Sequence, residues 1–239
     1  MLGVIVNSAA VVIGTLLGLV LKKGISKKIS DAVMIGVGLC VVFIAVGGLI
    51  VDSDAEAVSI AAIVSIVLGA IIGTAADIDK GLNKLGDKVA EKMKSKSDGN
   101  STVAEGFVNA SLLFCVGAMA IMGSISAGLE GNNTTLFIKS ILDFTSSIMF
   151  ASTFGIGVIF SVIPLTVYQA SIALGAGFLA PLLSLSATDA ITCTGSIILI
   201  GLSLNLIGIT KIKVANYLPA IFLSPFLYYF FEYILGSVK

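Results

Sequence analysis

Residues Gly106–Pro164 read GFVNASLLFCVGAMAIMGSISAGLEGNNTTLFIKSILDFTSSIMFASTFGIGVIFSVIP. Two hydrophobic segments are joined by a polar turn that contains Gly and Asn. Each segment also carries groups that hydrocarbon disfavours: Asn109 and a Gly-Ser cluster in the first, Asp143 and a Ser/Thr run in the second. Such groups inside apolar sequence face other protein, water or a ligand. The stretch therefore reads as two helices of a polytopic membrane protein.

Composition extends that reading to the whole chain. Of 239 residues, 57% are hydrophobic and 12% charged, and the mean hydropathy is +1.10. Soluble domains carry about 25% charged residues. The formal net charge is +0, which gives no pull toward nucleic acid. Every basic residue is Lys, and Arg, His and Trp are absent. Without His the usual proton relay and commonest metal ligand are missing. Without Arg there is no bidentate clamp for carboxylate or phosphate. No nucleotide loop, hydrolase motif or triad is visible, so no cofactor, no metal site and no enzymatic activity are expected. Cys40, Cys115 and Cys193 each sit alone in a separate apolar segment, unlike a disulfide framework or a metal site.

A spanning helix needs about 20 largely apolar residues. That rule marks eight spans, with six to eight as the range: 2–21, 32–51, 57–76, 106–129, 136–163, 165–185, 190–209 and 214–235. Pro181 and the polar residues 184–189 make the sixth and seventh candidates for re-entrant segments. No basic residue precedes Lys22, so the first segment is expected to stay as a span rather than be cleaved as a leader. With eight spans the Lys-rich loops fall on one side, taken as cytoplasmic. Both termini then fall outside the cytoplasm. In the third loop Ile78, Leu82, Leu85, Val89 and Met93 recur at spacings of three and four. This predicts an amphipathic helix resting on headgroups or on a partner subunit.

Short matches divide the chain. Val6-Asn7-Ser8-Ala9 is echoed by Val108-Asn109-Ala110-Ser111, and Leu68-Gly69-Ala70 by Leu174-Gly175-Ala176. The expected organisation is one membrane domain: repeat one over 1–77, the amphipathic loop over 78–102, repeat two over 103–187 and a C-terminal hairpin over 188–239. Three-span repeats are inverted relative to each other, the usual build of secondary transporters. Gly14/Gly18 and Gly69/Gly73 have GxxxG spacing and read first as close-packing faces.

Asp143 is the sharpest candidate for chemistry. It lies four residues after Lys139, on the same helix face. It reads either as half of an interfacial ion pair or as an interior carboxylate that binds a cation or proton. Ser146 follows it and could line a polar path. Asn7 and Asn109 could face each other across a site or cap their own helices. Gly117, Gly123 and Ser124 point to a thin or unwound helix centre, Gln169 adds polarity to the sixth span, and Asp189, Thr192, Thr194, Ser196 and Asn205 give the seventh a polar stripe. Asp189 reads as an N-cap.

With these residues in hand, the chain resembles the bacterial YqgA/YdfK-type membrane proteins, the family called domain of unknown function 554. The resemblance rests on VNSA with GTLLG, FVNASLLFCVGAMAIMGSI, KSILDFTSSIMFASTFGIGVIFS, IPLTVYQ, TGSIILIGLSLNL and VANYLPA, in that order. It implies an integral membrane protein with no assigned activity. The sequence-level expectation is an all-helical inner-membrane protein, a homodimer in contact with the bilayer, transporting a small solute or ion. Its binding residues would be Asp143, Asn7, Asn109, Gly123, Ser124, Ser146, Gln169 and Thr194. The alternative is a membrane scaffold or regulator acting through the amphipathic helix.

Overall fold

The computed structural model describes residues 1–22, 27–50, 55–92, 100–116, 118–180 and 183–238. Among them the ordered elements are helical: α1 (Leu2–Lys22), α2 (Lys27–Gly47), α3 (Ala55–Ala75), α4 (Ile78–Lys92), α5 (Asn100–Cys115), α6 (Ala118–Leu129), α7 (Thr134–Phe154), α8 (Val162–Leu174), the single turn α9 (Ala176–Leu179), α10 (Leu185–Ile207) and α11 (Pro219–Val238). By length and composition, five of the described helical segments can cross a membrane, or six if the bent pair α5–α6 is one span.

The long apolar segment Thr134–Leu174 is folded back on itself. Asn7 hydrogen-bonds both Asp143 and Gln169. In a straight helix those two residues would stand ~39 Å apart at ~1.5 Å per residue. The reversal is made by Gly155, with φ of 79°, and a 3-10 stretch Gly155–Ser161 between α7 and α8. Positive φ is nearly free for glycine and costly for any residue with a Cβ. Pro164 falls in the first turn of α8, where its missing N–H breaks no helical bond. Pro219 likewise opens α11. Pro225 lies inside α11 and leaves the Ile221 carbonyl without its usual donor; the Ser224 hydroxyl donates to that carbonyl instead, at 3.1 Å. Pro181 lies outside the described residues.

Glycines set the closest helix pairs. A Cβ on Gly14 would collide with Ser147, and one on Gly18 with the Ile148 carbonyl, so α1 lies tight against α7, parallel to it. Gly69 meets Ala220, and Gly73 meets the Asn216 carbonyl, which brings α3 and α11 together antiparallel. Both GxxxG faces are thus packing faces. α2 lies antiparallel to α10, with Gly38 against Ile207 and Gly48 against Ser196. The main buried cluster runs through the middle and includes Val11, Val41, Leu112, Phe114, Phe150, Leu199 and Leu202.

Three local expectations are corrected. The N-cap of α10 is Ser184, whose hydroxyl accepts from the Ala187 N–H at 3.2 Å; Asp189 lies inside the helix. An extended backbone at Ser184 supplies the cap geometry that Asp189, already helical, lacks. Asn205 is no part of a polar stripe. Its amide closes the loop after α10 by accepting from Thr210 and Ile212 and donating to the Ile212 carbonyl. Finally, α4 rests on its own chain. Leu82 packs against the central cluster, and the Asp79 N–H donates to Asn216 at 2.8 Å. Of its apolar stripe, Met93 and the side chains of Leu85 and Val89 lie outside the described residues.

Candidate functional site

The polar centre is assembled by α1, α7 and α8. Lys139 and Asp143 are one turn apart on α7, and their side chains are 7% and 8% exposed. They form an ion pair buried inside the protein. Asp143 Oδ2 accepts from the Lys139 ammonium and, at 3.0 Å, from Asn7 Nδ2. The same Asn7 nitrogen lies 3.3 Å from Gln169 Oε1. Beside them Ser8 and Thr166 share a 2.6 Å hydrogen bond between α1 and α8. Removing one partner of such a buried pair strands a charge, at a cost of about 3–5 kcal/mol. The arrangement is therefore tightly specified.

Three buried side-chain atoms here have no hydrogen-bond partner among the described residues: Asn7 Oδ1, Gln169 Nε2 and Ser124 Oγ. Ser124 belongs to the same junction by helical register. Ala127, one turn further along α6, packs with Val4, Leu136 and Ala170. One turn inward from that layer, forward along α1 and α7 and back along α6 and α8, lie Asn7, Lys139, Ser124 and Thr166. Unpartnered buried polar atoms are few in folded proteins and mark strain, function or a ligand.

Lys139 and Asp143 also form part of the wall of a cavity of about 320 Å³. Ser146, Thr192 and Ser196 add hydroxyls to it, and Gly47 and Gly48 bring the end of α2 against it. Val116 and Met119, at the break between α5 and α6, complete the side opposite α7. A second cavity, of about 510 Å³, lies toward the Lys211–Lys213 end of the bundle. Its polar lining includes Asp79, Asn83, Glu105, Asn109, Lys211 and Lys213. Leu112 and Leu206 line this cavity, whereas Leu113 and Leu199 line the first. All four belong to one buried cluster with Leu202 and Phe150. The two partly polar cavities are thus both bordered by residues of that one buried cluster.

Of the residues singled out from sequence, Asn7 is brought into contact with Asp143 and Gln169, Ser146 lines the adjoining cavity and Ser124 lies level with them by helical register. Asn109 is not with Asn7; it lines the other cavity. Neither amide caps its helix end, since Asn7 and Asn109 are both interior to α1 and α5. Thr194 turns its hydroxyl to the Ala190 carbonyl at 2.7 Å. A Cβ on Gly123 would press on Leu136 of α7, so this glycine serves packing. α5 ends at Cys115 and α6 starts at Ala118, so the helix break lies ahead of Gly123 and Ser124; Gly117 lies outside the described residues. Sequence reasoning left Thr192 and Ser196 as members of a general polar stripe. Their spacing of four on α10 was the signal that both reach one cavity.

A bundle of long apolar helices around a buried ion pair defines an integral membrane protein. The chain belongs to the protein family of unknown function DUF554, whose model matches residues 2–229. It is 31% identical over 225 residues to the uncharacterized membrane protein YdfK of Bacillus subtilis, covering 94% of each chain. It is 29% identical over 225 residues to the uncharacterized protein YqgA of Escherichia coli, covering 93% of this chain and 94% of the relative. No solved structure matches.

Proposed function

We propose that this protein is a secondary transporter, without enzymatic activity, that moves a small solute or ion across a bacterial inner membrane. The observation that carries the reading is the buried Lys139–Asp143 pair, held from α1 and set in the wall of a cavity. A carboxylate inside a membrane bundle is costly, and a pair serving packing alone needs no cavity beside it. A second cavity toward the Lys211–Lys213 end supports the reading, since alternating access needs an approach to the site from each side.

The inverted repeat belongs to the same reading. α1 and α7 run parallel, whereas α5–α6 climbs from Val103, beside Gly157, to Gly128, beside Ala173. The first helix of the unit α1–α2–α3 and the first of the unit α5/α6–α7–α8 therefore run in opposite senses, which supports the reading. Asn7 and Asn109 accordingly lie toward opposite ends of the bundle. Counting α2 and both arms of the α7–α8 hairpin as crossings gives eight, which puts the Lys-rich loops on the cytoplasmic side and both termini outside. Two copies would pair in the membrane, which cross-linking in native membranes tests.

Uptake into proteoliposomes across a panel of ions and small metabolites tests the proposal. The double variant Asp143→Asn, Lys139→Gln keeps the site neutral and so keeps the fold. It is expected to abolish saturable uptake. Wild-type uptake in the double variant removes the pair from the mechanism, and no uptake by the wild type for any probe leaves the scaffold reading.

A further inference from the structure

We propose that the solute held at the Asn7–Gln169–Ser124 junction carries no net charge and presents both a hydrogen-bond donor and an acceptor. This rests on the transport reading and narrows it to a substrate class. The first support is charge. Lys139 and Asp143 cancel formally before any ligand arrives, in a site almost wholly out of solvent. An ion with a net charge would add one uncompensated charge to the interior, which desolvation penalises heavily.

The second support is the polarity of the unpartnered atoms. Asn7 is fixed in orientation because its Nδ2 donates to Asp143, and Gln169 is fixed because its Oε1 accepts from Asn7. Turning Asn7 round would set oxygen against carboxylate oxygen. This leaves Asn7 Oδ1 as a buried acceptor, Gln169 Nε2 as a buried donor and Ser124 Oγ able to act as either. A bare cation would suit Asn7 Oδ1 and be repelled by the Gln169 N–H. A bare anion would meet the reverse. A hydroxyl, an amide or a small zwitterion serves both.

The third support is the far cavity, whose charged lining residues are Asp79 and Glu105 against Lys211 and Lys213. Two acids and two lysines steer neither sign of ion.

The test uses the full chain, in nanodiscs for binding and in proteoliposomes for uptake, with urea, glycerol, glycine, sodium and chloride as probes. At least one of the three uncharged or zwitterionic probes is expected to bind saturably and to cross, while sodium and chloride leak no faster than through empty liposomes. Ser124→Ala should weaken that probe about fivefold to tenfold, the worth of one hydrogen bond, without lowering the melting temperature. Gln169→Leu should weaken it further. Because Ser124→Ala removes a buried unpartnered hydroxyl, a purely structural role would leave binding unchanged, and that result overturns the proposal. Saturable movement of sodium or chloride alone overturns it while sparing the transport reading. Binding of an uncharged probe without uptake keeps the proposal and removes the transport reading; silence in both assays for every probe overturns both.

Discussion

α1 and α3 are near twins in composition and opposites in use. Both have 21 residues and a mean hydropathy of 2.4 over their most apolar window, and both lay glycines closely against neighbouring segments. α1, however, sends Asn7 to a carboxylate and an amide on α7 and α8. α3 packs Ala57, Val58, Ala61 and Ala62 against Ala187, Ala190 and Tyr228, with Ser65 as its buried polar side chain. Average hydropathy therefore says that both helices belong in a membrane and nothing about which one builds a site. Two neighbouring polar side chains in 21 residues, Asn7 and Ser8, make that difference.

The contrast can be broken most forcefully at Asp143. Asp143→Asn alone strands the Lys139 ammonium and should cost about 3–5 kcal/mol in detergent unfolding, most of it regained by adding Lys139→Gln. A single variant as stable as wild type would mean that the pair contributes little to the α1 side. Next comes Asn7→Ala, which deletes a hydrogen bond to a charged group and should cost about 1.5–3 kcal/mol by the same measurement.

On the α3 side the sensitive position is a glycine. Gly73→Ala drives a methyl into the Asn216 carbonyl and should cost about 1–3 kcal/mol through overpacking. Solute binding at the α1 side should be unchanged in that variant. Altered binding there would tie the two halves together mechanically. The smallest effect is expected at Ser65→Ala, which removes an unpartnered buried hydroxyl from α3. Melting should shift upward or not at all. A clear loss of stability would show that Ser65 has a partner and that α3 is less apolar in use than its packing implies.

How much of this the sequence carried depended on the range of the physics involved. Helix positions follow from runs of apolar residues, which are local, and Asp143 and Asn7 stand out because hydrocarbon penalises their side chains wherever they fall. Lys139 at four residues before Asp143 is also local, and the pair forms on one helix face. What no window along the chain contains is the pairing of residue 7 with residues 143 and 169. That depends on the reversal between α7 and α8. The sequence shows a proline at 164 near that point, but Gly155 and the 3-10 segment make the turn, and Pro164 merely opens the next helix. Asn109 went astray for a related reason. Its tetrapeptide resembles that of Asn7, yet Asn109 lines the other cavity, so likeness in sequence predicted the wrong neighbour.

The reach of Asn7 has a consequence for how the protein is made. Its amide leaves the ribosome within the first helix, while its second partner is encoded 162 residues later. At about 5–20 residues per second of synthesis, that delay is ~10–30 s. During that interval the first helix must wait with an unsatisfied amide, shielded by the insertion machinery or by water at the bilayer edge. It locks into place only when the returning arm of the α7–α8 hairpin arrives.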